Sequence, residues 1–224
     1  MDVPVYITNK NRLTSLKRLI DWLLETPDIG LITVLDQGST YPPLLWYYEQ
    51  LPIGEVAVKF LEPNPHLCWV FWALHMDEEQ KGYYIVTDGD FVPADFCPRD
   101  VVSKMVRLLE EYFPQNYWKV GPGLRTDNLP PSPFREEAIA GQQQYTKNRL
   151  TPECFSAAID TSFAVYKGGF GDQELGHAIR LDYPYLFEHL PWYTWPLDDE
   201  ERYYIAHDDY LLGHTSNLRR KGLI

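Results

Sequence analysis

The sequence predicts an α/β protein built on a largely parallel sheet. Two observations carry that expectation. Through the first ninety residues, short apolar runs rich in β-branched and aromatic residues alternate with segments of helical period. Three of those apolar runs also lead into polar clusters, the pattern expected where an open α/β sheet binds ligands beyond the carboxyl ends of its strands.

Val3 to Thr8 (VPVYIT) reads as the first strand, followed by the polar stretch Asn9-Lys10-Asn11-Arg12. Leu13, Leu16, Leu19, Ile20, Leu23 and Leu24 then recur at helical spacing. Leu31 to Leu35 (LITVL) is the second strand and ends at Asp36, with the turn Gln37-Gly38-Ser39-Thr40 behind it. Pro42-Pro43 opens a helix running to about Gln50, since proline suits the first helical turn. Glu55 to Phe60 is the third strand. Asn64-Pro65 caps a helix carrying Leu67, Val70, Phe71 and Leu74. Tyr83 to Thr87 (YYIVT) is the fourth strand and enters Asp88-Gly89-Asp90. The resulting β-α-β-α-β-α-β order implies right-handed parallel crossovers.

The second half is less regular. Pro98 begins an amphipathic helix with Val101, Val102, Met105, Val106, Leu109 and Tyr112 on its apolar stripe. Tyr117 to Val120 is a strand candidate and Gly121 to Pro133 reads as a Gly/Pro-rich loop. Glu136 to Tyr145 reads as helical. Ile159 to Tyr166 is a further strand candidate, and Ala178 to Leu181 is expected to pair with it. The aromatic tract Tyr183 to Trp195 and an acidic short helix near Asp198 to Tyr204 complete the pattern. With 224 residues and no composition break, one domain over 1–224 is expected. Within it a regular half spans about 1–97 and a more elaborated half about 98–224. The compact length also suits one module of a larger polypeptide.

Charge narrows the function classes. Twenty basic against 32 acidic residues give a net charge of −12, so nucleic acid is a poor partner: phosphate contacts need Lys and Arg. An anionic membrane surface would repel the chain. The apolar run Leu67 to Leu74 is too short to span a bilayer, so no integral membrane segment is expected. Cys68, Cys97 and Cys154 have no paired spacing, which suggests a reducing compartment rather than a disulfide framework. The start MDVPVYITNK lacks a basic segment followed by an apolar one, so the expectation is a cytoplasmic, soluble protein.

Asp88-Gly89-Asp90 is the central chemical signal. Two carboxylates one residue apart, on the turn leaving a buried strand, can share a hard divalent cation such as Mg²⁺ or Mn²⁺ with its water shell. A departing diphosphate needs that neutralisation as its bond breaks. In an acidic chain the same triplet also occurs as a solvated turn, and its position after the fourth strand of a βα array favours the metal.

In these features the chain resembles the nucleotide-sugar glycosyltransferases of the GT-A fold, in the DxD-containing family 2-like group. The matching segments are VYITNKNRLTSLKRLIDWL, LITVLDQGST and YYIVTDGDFVP, with looser likeness in VGPGLRTDNLP, AAIDTSFAVYK and YLFEHLPWY. The resemblance covers about residues 3 to 205 and implies a nucleotide-binding half at about 1–97 and an acceptor-side half at about 98–224. It implies that Thr8, Asn9, Asn11 and Arg12 line the nucleotide, that Asp36 accepts a hydrogen bond from base or ribose, and that Asp88 faces the ribose and the metal's water shell. Asp90 would be the direct metal ligand. A histidine from the C-terminal half often joins such a metal. His189, in Glu188-His189-Leu190-Pro191-Trp192, is preferred over His177, His207 and His214 because its neighbours can fix the ring. Two alternatives stay open: Asp36 as an Asx turn bonding the Ser39 or Thr40 amide, and Arg12 as a solvated charge at a helix entry.

An inverting transferase also needs a general base near the acceptor hydroxyl. Asp160 interrupts an apolar strand on the acceptor side and is the candidate, its competing role being a buried pairing with Arg125 or Arg180. The glycines of Gly121 to Arg125 and Gly168 to Gly171 suit either closing loops or ordinary turns. Trp192, Tyr193 and Trp195 suit either a sugar platform or the core. The function expected is a metal-dependent hexosyltransferase moving a sugar from a nucleoside-diphosphate donor, a UDP-sugar first, to a hydroxyl of a glycan acceptor. A non-catalytic glycan- or nucleotide-binding module is the alternative. A sugar nucleotidyltransferase fits less well, because the chain has no glycine before Gly30 to grip a triphosphate after strand one.

Overall fold

A computed structural model describes residues 2–62, 70–159, 163–168, 177–208 and 213–224, with the side chains of 73, 213 and 214 outside the description. Strands β1 (Val3–Asn9), β2 (Ile29–Asp36), β3 (Val56–Phe60) and β4 (Tyr83–Asp88) alternate with helices α1 (Thr14–Leu24), α2 (Pro42–Tyr48) and α3 (Val70–Ala73). The four strands lie in the order β3-β2-β1-β4 and pair in parallel. The helix expected from Asn64-Pro65 falls largely on residues 63–69, outside the described residues.

Beyond β4 come β5 (Phe91–Pro93), α4 (Val101–Tyr112), β6 (Tyr117–Gly121), β7 (Gly123–Leu124), α5 (Arg135–Gln143), β8 (Arg149–Thr151) and β9 (Cys154–Ser156). The chain continues through β10 (Ala164–Lys167), β11 (His177–Leu181), β12 (Leu186–His189), α6 (Asp199–Ala206) and α7 (Gly213–Arg220). Among the described residues, nine strands form one sheet, β3-β2-β1-β4-β10-β6-β11-β9-β8, and β5-β12-β7 form a second, small one. In the large sheet only β10 and β9 run against the rest.

Two expectations are corrected here. β11 does not pair with β10; it lies beside β6 and β9, while β10 fills the space between β4 and β6. The order is set by long-range pairing, which proximity in the sequence does not report. Nor is Gly121 to Leu124 a loop: it ends β6 and forms β7. A Cβ at Gly121 would sit 2.6 Å from the Phe163 carbonyl oxygen, and one at Gly123 would sit 2.5 Å from that of Leu181. These glycines let backbones approach rather than bend.

Side-chain alternation along each strand feeds two cores. On one face Val5, Ile7, Ile32, Val34 and Ile85 meet Leu16, Leu19, Ile20 and Leu23 of α1 and Val102, Met105, Val106 and Leu109 of α4. On the other, Tyr84 and Val86 pack with Phe71, Trp72 and Tyr166, and the Tyr84 ring stacks on those of Phe71 and Tyr166. With both faces covered, the strand ends are what remain open for chemistry. Among the described residues no helix is long and apolar enough to cross a membrane.

Candidate functional site

The polar clusters behind β1, β2 and β4 meet at one edge of the sheet. Register places Asn9 beside Asp36 and Thr8 beside Asp88. Past the strands, the Gln37 amide donates to the Asn9 carbonyl at 3.0 Å, and the Gly89 amide to the Thr8 carbonyl at 2.9 Å. Gly89 sits so close that a Cβ there would fall 2.7 Å from Asn9 Oδ1. Asn9 in turn donates through Nδ2 to the Arg12 carbonyl and to Tyr48 Oη, at 3.0 and 3.1 Å.

Asp36 is fully buried. Its Oδ1 accepts from the Ser39 amide at 2.9 Å and its Oδ2 from Tyr48 Oη at 2.8 Å. The Ser39 bond is the Asx turn that the sequence left open. Burial, with the neighbouring Asp36 charge, pushes the Tyr48 phenol well above its usual range, so it stays a proton donor. Asn11 has a φ of +52°, a left-handed conformation that asparagine tolerates better than most. Its Oδ1 gathers the Thr40 and Tyr41 amides at 2.7 and 3.0 Å, and Ser39 Oγ accepts from its own amide at 2.8 Å. Thr8 Oγ1, Asn9 Oδ1 and Asn11 Nδ2 are buried without a hydrogen-bond partner among the described residues.

Asp90 and His189 face each other across the small sheet. β12 pairs with β5 so that His189 lies beside Phe91, and the two rings stack at 4.5 Å. Trp192 meets the imidazole edge-on at 4.9 Å, and the Leu190 amide donates to the Asp90 carbonyl at 2.9 Å. His189 Nε2 is 3.6 Å from Asp90 Oδ2. Burial alone would raise the Asp90 pKa, but His189 and Arg12 outweigh it and hold the carboxyl at about 2. Asp90 Oδ1 and His189 Nδ1 are buried without a hydrogen-bond partner among the described residues. Among the described residues, no cluster of three or more His, Cys, Asp or Glu side chains is disposed to hold a metal. Two protein donors are nonetheless enough for Mg²⁺ or Mn²⁺, which fill their remaining positions with water and phosphate oxygens.

Sequence reasoning missed the role of α6. Asp198 caps this helix by accepting the Glu201 amide at 2.7 Å. Glu200 then reaches the start of α1, where its carboxylate accepts from the Leu13 and Thr14 amides and the Thr14 hydroxyl at 2.9–3.1 Å. Glu201 accepts from Arg12 Nη2 at 3.0 Å, the Arg12 guanidinium lies 4.1 Å over the Tyr204 ring, and Tyr203 Oη donates to the Thr40 carbonyl at 2.9 Å. Arg12 Nη1 is 3.9 Å from Asp90 Oδ2. Arg12 is therefore buried and clamped, not a solvated charge at a helix entry. Burial would lower its pKa, but Glu201 and Asp90 more than reverse that, so it stays charged. Burial first, and then the carboxylates of Asp90, Asp198 and Glu200, push Glu201 upward against the pull of Arg12.

The other candidates have separate surroundings. Asp160 lies outside the described residues. Arg125 bonds Asp127 and Glu188, at 2.9 and 3.3 Å, while Arg180 donates to Gln142 and to the Ala158 carbonyl. His177 contacts Tyr117 and His207 stacks on Tyr203. Trp192, Tyr193 and Trp195 go to three different partners: His189, the Arg125 carbonyl with Asn128, and Phe134.

No protein-family model and no curated protein matches this sequence. Solved structures do match its fold. A mannosyltransferase from Pyrobaculum calidifontis, in complex with GDP-Man and Mn²⁺, is 15% identical with a TM-score of 0.52, over 97% of this chain and 64% of that one. S. aureus TarS 1–349 is 13% identical with a TM-score of 0.54, over 100% of this chain and 74% of that one. GalNAc-T7, with UDP, GalNAc and Mn²⁺, is 13% identical with a TM-score of 0.55, over 84% of this chain and 43% of that one. The chain thus spans less than two thirds of the first and third of these proteins and has the GT-A glycosyltransferase fold.

Proposed function

We propose that this protein is a metal-dependent glycosyltransferase that moves a hexosyl group from a nucleoside-diphosphate sugar, a UDP-sugar first, to a hydroxyl of a glycan. The observation that carries this reading is the Asp90–His189 pair, 3.6 Å apart at the edge where β1, β2 and β4 end. Glu201 shares Arg12 with Asp90, Asp88 precedes Asp90 by two residues, and the chain carries a net charge of −12. Such a mouth repels a bare diphosphate and draws in a divalent cation. Mn²⁺ or Mg²⁺ bound there supplies the charge neutralisation that a diphosphate leaving group requires.

In this reading Asp90 and His189 hold the metal. Asp90 needs no deprotonation to do so, since its carboxyl is already ionised. Thr8, Asn9 and Asp88 line the nucleotide, and Arg12 faces its anionic end. Asp36 and Asn11 contribute chiefly by fixing the turn from Gln37 to Tyr41. The test is calorimetric titration with UDP and GDP, each in Mn²⁺ and then in EDTA. Metal-dependent binding of one nucleotide is the expected result. Binding of neither overturns the reading.

Asp160 is proposed as the base that takes the acceptor hydroxyl's proton. Asp160→Asn is expected to keep nucleotide affinity and to lower sugar transfer about a hundredfold, the low end of what a positioned base contributes. Unchanged transfer would leave Asp160 a structural residue. Nucleotide binding by a wild type that shows no transfer would move the protein to the binding-module reading.

A further inference from the structure

Phe60 ends β3 with its side chain 65% exposed at the carboxyl edge of the sheet. Alternation puts it on the same face as Val56 and Val58, which pack into the core beside Tyr48. The apolar face of β3 therefore continues one residue past the core, onto the lip of the polar cleft. Register sets Phe60 beside Asp36, and the Leu61 amide still donates to the Asp36 carbonyl at 2.7 Å, so the strand is held to its last residue. The Phe60 ring meets Tyr48 at 5.9 Å and 74°, edge to face. Tyr48 is itself fixed, donating to Asp36 and accepting from Asn9.

An isolated exposed phenylalanine is ordinary on a protein surface. This one differs in being held by a buried hydrogen-bonded tyrosine and in adjoining the Asp36–Ser39 turn. A flat apolar face bordered by fixed polar groups suits a heteroaromatic ring, which stacks through its face and forms hydrogen bonds at its edge. We infer that Phe60 is the platform on which the base of the nucleoside diphosphate stacks, with Tyr48 setting the ring's orientation. The inference rests on the nucleotide reading of the site and adds to it a residue that grips the base rather than the phosphates.

The test compares wild type, Phe60→Ala and Phe60→Trp in titrations with UDP, GDP and inorganic pyrophosphate, all in Mn²⁺. Phe60→Ala is expected to weaken the bound nucleoside diphosphate about tenfold or more, the usual worth of one stacked base, and to leave pyrophosphate unchanged. Phe60→Trp is expected to restore affinity. An alanine variant that binds nucleotide as the wild type does overturns the platform while leaving the nucleotide reading intact. Equal weakening of pyrophosphate also overturns it, because the loss would then lie in the phosphate site. A wild type that binds neither nucleotide overturns both.

Discussion

Asp90→Ala is expected to reduce the affinity for a nucleoside diphosphate in Mn²⁺ to the value measured in EDTA, a loss of about a hundredfold or more. The size follows from the electrostatics of the mouth. Arg12 is the one described cation whose contact with Asp90 is within 4 Å besides His189, and it already bonds Glu201. Without a metal held by Asp90, a diphosphate meets an acidic edge that includes Asp88, with Arg12 already committed to Glu201. The fold should survive. Asp90 is partly exposed, and Arg12 keeps Glu201 and the Tyr204 face when it is gone. The EDTA arm separates this role from a structural one. If Asp90 only braced Arg12 and His189, its removal would lower affinity equally with and without metal, and the melting temperature would fall alongside. Unchanged affinity in Mn²⁺ would remove Asp90 from the metal site.

The first half of this chain was legible because each of its elements is long and buried on a regular pattern. The strands of VYIT, LITVLD and YYIVTD are apolar on both faces, since helices cover both, and each ends in polar residues where the sheet's edge opens. The Asp88-Gly89-Asp90 turn, Asp36 and the Asn9–Arg12 stretch do converge there. The second half was harder for a physical reason. β5, β7, β8 and β9 hold two or three residues each, too few for alternation to register. The place of β10 between β4 and β6 is a long-range decision that local spacing does not encode. Glycines at 121 and 123 read as loop residues when they are close-packing ones. In Leu-Asp-Asp-Glu-Glu-Arg (197–202), where the sequence shows only the start of an acidic short helix, Glu201 is 3% exposed. Asp198, three residues before Glu201, marks the start of a helix. Nothing in the local sequence reports that the helix turns back onto a residue 189 positions earlier.

That long-range contact should be the most costly one to break. Glu201→Ala is expected to destabilise the protein by about 3–5 kcal/mol, because it leaves a buried guanidinium without its principal counter-charge. The side chains of Arg12 and Glu201 are 9% and 5% exposed, so water does little to screen the loss. Asp90 lies 3.9 Å from the other Arg12 nitrogen and would absorb part of it, which favours the lower end of that range. The pair itself need not add stability over an apolar one, since both partners give up hydration when buried. The double variant Arg12→Met/Glu201→Leu is therefore expected to recover most of what Glu201→Ala loses, while still losing nucleotide affinity because Arg12 is absent. Urea unfolding of the three proteins, with UDP titration beside it, checks both halves. A shift below about 1 kcal/mol for Glu201→Ala, the value of an exposed pair, would mean that Arg12 is solvated and that α6 does not lock the mouth of the site. The expected pattern, stability restored without affinity, would assign α6 the task of holding Arg12 in a charged, oriented state at the nucleotide edge.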